Sequence, residues 1–191
     1  MAGLITSFGG PLPAESRERP SDVYAALLRA IAGQQLSVRA AEAIYRRLLE
    51  RFGGRAPTPE EILADDPDAL RTAAGLSHAK TSALRSLAEH VLAGELQLAR
   101  LEELPDEQVT RELVAVKGIG EWTAQMFLIF TLARPDVLPV GDLGIKHAFR
   151  RAYGLDEIPS KDAMIELAEP WRPYRTRGSE YLWRSLATSP I

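Results

Sequence analysis

The sequence contains no cysteine, which removes disulfides, thiolate zinc sites, cysteine-held iron–sulfur clusters and cysteine nucleophiles from consideration. A reducing, intracellular setting is compatible with that absence. Long apolar runs are missing too: none approaches the roughly 20 residues of a membrane span. The first residues, MAGLITSFGGPLPAESRERP, lack the basic start and apolar core of a secretory signal. A cytoplasmic protein with no membrane partner is expected. The net charge is only −3, a mark against a strongly basic nucleic-acid binder, although gripping phosphate needs a basic patch and not a basic average. The three histidines, His78, His90 and His147, have no metal-ligand spacing. Alternating strand-like runs are almost absent.

What remains is helical punctuation. The chain has 191 residues, 46% hydrophobic and 26% charged, enough for one compact domain or two small lobes around a buried core. After Ser21 comes DVYAALLRAIAG, and Ser37 caps VRAAEAIYRRLLERF, which stops at Gly53-Gly54. Thr58-Pro59-Glu60-Glu61 combines a capping box with proline at the first helical position. Asp66-Pro67, Ser77 and Pro105-Asp106 open three further helices, and WTAQMFLIFTLA is apolar on nearly every side, as a central buried helix is. Gly154 closes LGIKHAFRRAYG, and two more helical segments follow. The expected fold is all-α with about nine or ten helices.

Basic residues gather in two regions, Arg39, Arg46, Arg47, Arg51 and Arg55 in one and Lys146, Arg150, Arg151, Arg172, Arg175 and Arg177 in the other. Each is either a phosphate-binding surface or a solvated helix face.

Between two helices stands VKGIGEWTA, residues 116–124. Glycine tolerates φ > 0 and lets another backbone come close. Gly120 leaves the first amides of the next helix open to an anion, with Lys117 beside them. Ile119 would pin the turn into the core. A tight turn between helices is the other reading of the glycines. With Leu113, Val116, Thr123 and Ala124 around it, the pattern resembles the helix-hairpin-helix motif, which grips the sugar-phosphate backbone without reading sequence. Lys117, Gly118, Gly120 and Thr123 are then the candidate backbone contacts.

Asp142 follows Gly120 by 22 residues (142 − 120), entering a helix after LPVG. In isolation an aspartate there is simply a helix cap. Together with the hairpin, the arrangement resembles the helix-hairpin-helix DNA glycosylases over most of the chain, from about Asp22 to Trp183. The resemblance implies that Asp142 is catalytic. A carboxylate that accepts amide hydrogen bonds stays charged at neutral pH, and such a charge stabilises an oxocarbenium-like transition state or orients water.

The family's bifunctional members carry a nucleophilic lysine where this chain has Trp122, so the resemblance implies a monofunctional enzyme using water. GIGEWTA is similar to the alkyladenine branch, the 3-methyladenine DNA glycosylases, in which that tryptophan lines the base pocket. Aromatic faces suit cationic alkylated purines such as 3-methyladenine and 7-methylguanine; core packing is the other reading of Trp122. The resemblance also assigns Trp183 to the pocket and puts Met126 where the family has a tyrosine. In IAGQQLS the intercalating residue corresponds to Gln35, flanked by Gln34 and Leu36, with packing in a buried turn as the alternative. No cofactor is implied for the chemistry, but a structural sodium or potassium ion is, held by the carbonyls of Val114, Val116 and Ile119. Larger relatives carry an N-terminal β-rich domain, which would make this a minimal form.

The expected architecture is two helical lobes flanking a cleft: one about 1–36 plus 135–191, the other about 37–134, with the helix-hairpin-helix at about 106–133. Asp142 would lie at their boundary, facing Trp122. The expected function is base excision repair of alkylated purines in double-stranded DNA by a monomer at the nucleoid. The rivals are a non-catalytic hairpin module that binds DNA and a glycosylase for deaminated or mismatched bases.

Overall fold

The computed structural model describes Thr6 and residues 22–187, and these are all-α. Apart from Thr6, the N-terminal stretch read above for a signal and for a missing domain lies outside the described residues. Ten α-helices and no strand occur among the described residues. They are α1 (Val23–Gly33), α2 (Val38–Arg51), α3 (Pro59–Ala64), α4 (Pro67–Ala74), α5 (His78–Leu92), α6 (Asp106–Ala115), α7 (Glu121–Phe130), α8 (Leu143–Tyr153), α9 (Lys161–Ala168) and α10 (Arg175–Ala187). No described helix is long and apolar enough to cross a membrane.

Local chemistry sets the helix starts. The side chains of Asp22, Ser37, Asp66, Ser77, Asp142 and Ser160 each accept the amide three residues on, satisfying a donor that the first turn would leave unpaired. Thr58 and Glu61 form the full reciprocal capping box.

The described residues fall into two compact units, 22–127 and 128–187, divided inside α7. In the first, α1 packs on α2 and α5, α3 and α4 pack on α5, and α2 on α4. The first helix, expected from the sequence in the same lobe as the C-terminal segment, therefore groups with the central helices. Leu27, Leu28, Ile31 and Ala32 are fully buried, and Lys80 of α5 donates from Nζ to the carbonyl of Ala32 at 2.9 Å. Hydrophobic periodicity identifies a buried face but not the neighbour that buries it. The first basic cluster is largely committed within this unit. Arg51 pairs with Asp65, Arg55 with Glu61 and Arg46 with Glu50, while Arg47 donates to the Ala74 carbonyl.

In the second unit α8 packs against α10 around Ile145, Ala148, Phe149, Met164, Ala168 and Leu182. Phe149 stacks on Trp171 with ring centroids 5.2 Å apart and on Tyr153 at 5.8 Å. Each aliphatic side chain so buried contributes about 1.5–3 kcal/mol before entropy is counted.

Candidate active site

The glycine turn is built on α5. Val116 and Ile119 are buried and fasten the turn to the core. The Val116 amide donates to the Leu113 carbonyl and the Ile119 amide to the Val116 carbonyl. Gly118 is required twice over: its φ is +88°, and a Cβ there would lie 2.5 Å from the Cβ of Ala83 on α5. Gly120 meets nothing and has ordinary φ, so its contribution is an unobstructed approach to the start of α7. The Lys117 amide donates to Ser86 Oγ at 3.2 Å. The Lys117 side chain lines a polar cavity of about 330 Å³ with Arg71, His78, Ser82, Ser86 and Glu89.

The connection between α1 and α2 meets this hairpin. Gln34 donates from Nε2 to the Gly118 carbonyl at 2.9 Å and to Thr123 Oγ1 at 3.0 Å. Thr123 is 4% exposed, and its hydroxyl is occupied inside the unit by Gln34. Gln35 and Leu36 are exposed, and Gln35 holds φ +58°. Of the three residues placed together by sequence as intercalation candidates, Gln35 and Leu36 are outward and Gln34 is tied down. Full burial of the turn, the alternative reading, does not occur at Gln35 and Leu36.

In the second unit the chain before α8 is stapled to the start of α10. Asp136 accepts from the Arg175 amide and guanidinium and from Arg172. Thr176 Oγ1 accepts the Val137 amide and donates to the Arg134 carbonyl. Leu138 and Val140 are buried, which turns the intervening backbone inward and brings Asp142 to the head of α8. Asp142 Oδ1 accepts the Ile145 amide at 2.8 Å and the Trp183 indole N–H at 3.0 Å. Gly144 permits this approach, since a Cβ at that position would lie 3.0 Å from Oδ1 and 3.6 Å from the Trp183 ring. Trp183 in turn stacks on Phe130, centroids 5.8 Å apart. The capping reading of Asp142 is thus correct, and it leaves a carboxylate half-buried, oriented by two donors and flanked by an aromatic ring.

Trp122, in the first turn of α7, is 38% exposed, too open for a residue serving only as core. Met126 lies four residues on along the same helix, half-buried, and positions four apart share a helix face. Val114 is exposed in the last turn of α6. Among the described residues no cluster of acids and histidines could hold a metal. Any cation at the hairpin therefore depends on backbone carbonyls, a donor set suited to a weakly held monovalent ion.

A helix, a glycine turn anchored by buried Val116 and Ile119, a second helix and then a capped aspartate lie within the stretch that a family model matches. Residues 28–173 fit the HhH-GPD superfamily base excision DNA repair protein. The chain belongs to the HhH-GPD superfamily. It is 38% identical to DNA-3-methyladenine glycosylase 1 of Schizosaccharomyces pombe over 95% of this chain and 80% of that protein. The structure is similar to that of the Schizosaccharomyces pombe 3-methyladenine DNA glycosylase in complex with abasic DNA, with a TM-score of 0.86 and 36% identity over 98% of this chain and 91% of that one. It is also similar to a DNA-3-methyladenine glycosidase from Bacillus halodurans, with a TM-score of 0.78 and 39% identity over 89% of this chain and 78% of that one.

Within this HhH-GPD chain, the supporting residues Lys80, Ala83, Ser86, Asp136 and Thr176 carry no motif, and nothing local in the sequence marks them. Ala83 and Ser86 lie three apart on α5, one helix-face spacing, but nothing in a sequence says that a hairpin rests there. Asp136 and Arg175 are 39 positions apart, and only folding pairs them.

Proposed function

We propose that this HhH-GPD protein is a monofunctional DNA glycosylase that everts an alkylated purine of the 3-methyladenine or 7-methylguanine type from double-stranded DNA and hydrolyses its N-glycosidic bond. The observation that carries this reading is the Asp142 carboxylate, fixed by the Ile145 amide and the Trp183 indole on one oxygen. A negative charge held in that way opposes the positive charge that develops on the deoxyribose as the base departs, and it does so with little reorganisation. Water then adds to the anomeric carbon with Asp142 as orienting group or base. The leaving purine already bears a positive charge, so no strong acid is needed.

Trp122 and Met126 on α7, and separately Trp183 on α10, are proposed to contact the everted base. The two indole faces favour an electron-poor cationic purine by stacking and cation–π attraction. Lys117, the glycine turn and the first amides of α7, including that of Thr123, are proposed to hold the strand's phosphates, and Gln35 to fill the space the base vacates. No cofactor enters the chemistry. A sodium or potassium ion on the carbonyls of Val114, Val116 and Ile119 would add positive charge near a phosphate; these carbonyls belong to the turn and to the C-terminal end of α6, where the helix dipole favours a cation. Tryptophan at position 122 cannot form a Schiff base, so strand cleavage is not expected. The protein is proposed to act as a monomer.

The test is Asp142→Asn, assayed on duplexes bearing methylated, deaminated or mismatched bases side by side. The variant should bind duplex as the native protein does while release of the methylated purine falls by about 10²–10³-fold. Unchanged release would remove Asp142 from the chemistry, and no release by the native protein itself would leave a non-catalytic hairpin module. Preferential release of deaminated or mismatched bases would reassign the substrate. Borohydride added during turnover should trap no protein–DNA adduct.

A further inference from the structure

We infer that Gln34 is a positioning residue that couples the strand-gripping hairpin to the wedge at Gln35, holding the wedge in its outward conformation before DNA arrives. The inference rests on the reading of Gln35 as the residue that fills the vacated space.

Three observations converge. The Gln34 amide bridges two points of the hairpin, the Gly118 carbonyl in the turn and the Thr123 hydroxyl on the following helix, at 2.9 and 3.0 Å. These contacts span 84 and 89 positions of sequence. The next residue, Gln35, has φ +58°, a left-handed conformation that a non-glycine residue adopts only when its surroundings impose it, and such strain gathers at functional positions. Finally, the connection and the hairpin stand on one platform: Lys80 of α5 donates to the Ala32 carbonyl, Ala83 of α5 seats Gly118, and Ser86 of α5 accepts the Lys117 amide. A loop needing only to join α1 to α2 has no use for a side chain that reaches the hairpin.

The arrangement has a specific consequence. With both Gln34 bonds in place, Gln35 stays in its strained outward state, so little ordering remains to be done when a base is everted. When they are lost, the local backbone relaxes toward ordinary φ values and the wedge is presented only part of the time. Grip on phosphates, which comes from the hairpin, is left alone.

The experiment is a double-mutant cycle of Gln34→Leu and Gln35→Ala on the full chain. Each protein is assayed for binding to undamaged duplex and for single-turnover release of a methylated purine, with base eversion followed by a fluorescent adenine analogue beside the lesion. Leucine keeps the bulk of glutamine and loses both donors. Gln34→Leu should bind undamaged duplex within about twofold of the native protein while eversion and release fall roughly tenfold, the effect of losing hydrogen bonds of ordinary strength. Gln35→Ala should show a similar loss, and the double variant should be no slower than the worse single one, because Gln34 acts through Gln35. If the two losses multiply, Gln34 does not act through the wedge and the inference is overturned while the wedge reading survives. If Gln35→Ala releases base at the native rate, the wedge reading fails and this inference with it. If Gln34→Leu loses undamaged duplex along with release, the amide shapes the hairpin itself, which also overturns it; Gln34→Met, assayed in parallel, guards against a failure peculiar to leucine.

Discussion

The indole N–H of Trp183 donates to Asp142 Oδ1 at 3.0 Å, sharing that oxygen with the Ile145 amide. Trp183 and a helix-capping carboxylate, 41 positions apart, are therefore one constellation. The ring stacks on Phe130 while its N–H edge orients the charged group. Trp183→Phe separates these functions, because phenylalanine retains a face and has no donor. Hydrogen bonds to charged groups are worth about 1.5–3 kcal/mol, so the single-turnover rate of base release should fall roughly 10–100-fold with substrate affinity little changed. Trp183→Ala should lose affinity as well. A Phe variant as fast as the native protein would confine Trp183 to stacking.

Gly118 gives a stability prediction. Alanine there meets the left-handed φ and the Ala83 methyl 2.5 Å away, which together should cost about 2–4 kcal/mol. Ala83→Gly removes the second obstacle only, so Gly118→Ala/Ala83→Gly should recover part of the loss in urea unfolding. Full recovery would mean that φ at Gly118 carries no penalty, contrary to this reading. Gly120→Ala, whose Cβ enters open space, should unfold almost like the native protein.

Phosphate binding at the hairpin should register in ionic strength. Lys117→Ala is expected to weaken damaged and undamaged duplexes alike and to reduce the slope of log affinity against log salt by about 0.9, the value for one lost contact. A loss restricted to damaged DNA would move Lys117 into the base pocket.

The Asp136 staple predicts an acid-dependent stability. Burial pushes this carboxyl up, but hydrogen bonds from the Arg175 side chain and amide, with the charges of Arg175 and Arg172, hold it below its ordinary value. A carboxyl lowered in the folded state stabilises fully above its unfolded pKa of about 3.9 and loses that contribution as pH falls through the folded value. The difference in urea midpoint between the native protein and Asp136→Asn should thus be constant near neutrality and shrink below about pH 4. A gap that widens in acid would contradict the assignment.

Most of the helix boundaries were legible because they are local. Ser37, Thr58, Asp66, Ser77 and Asp142 cap helices through amides three residues away, a distance that sequence specifies directly. The glycine turn was legible for the same reason, since Gly118 and buried Ile119 serve opposite needs of one short segment. The membership of α1 was not. Its buried face is evident from spacing, but whether α2 and α5 or the C-terminal helices cover it depends on which surfaces meet. The arginines of α2 and of the loop after it illustrate the converse: a basic run on paper becomes a set of ion pairs with Asp65 and Glu61.

By itself, then, the amino-acid sequence determined an all-helical chain, a glycine turn between two helices and an aspartate at a helix start. These follow from backbone dihedrals, caps and residue chemistry, all of which act over a few positions. Only the tertiary structure decided that Trp183 orients Asp142, that Gln34 reaches the hairpin, and that α5 seats both the turn and the connection beside it. Such contacts join residues dozens of positions apart, and they exist because burying the apolar faces of separate helices brings those residues together.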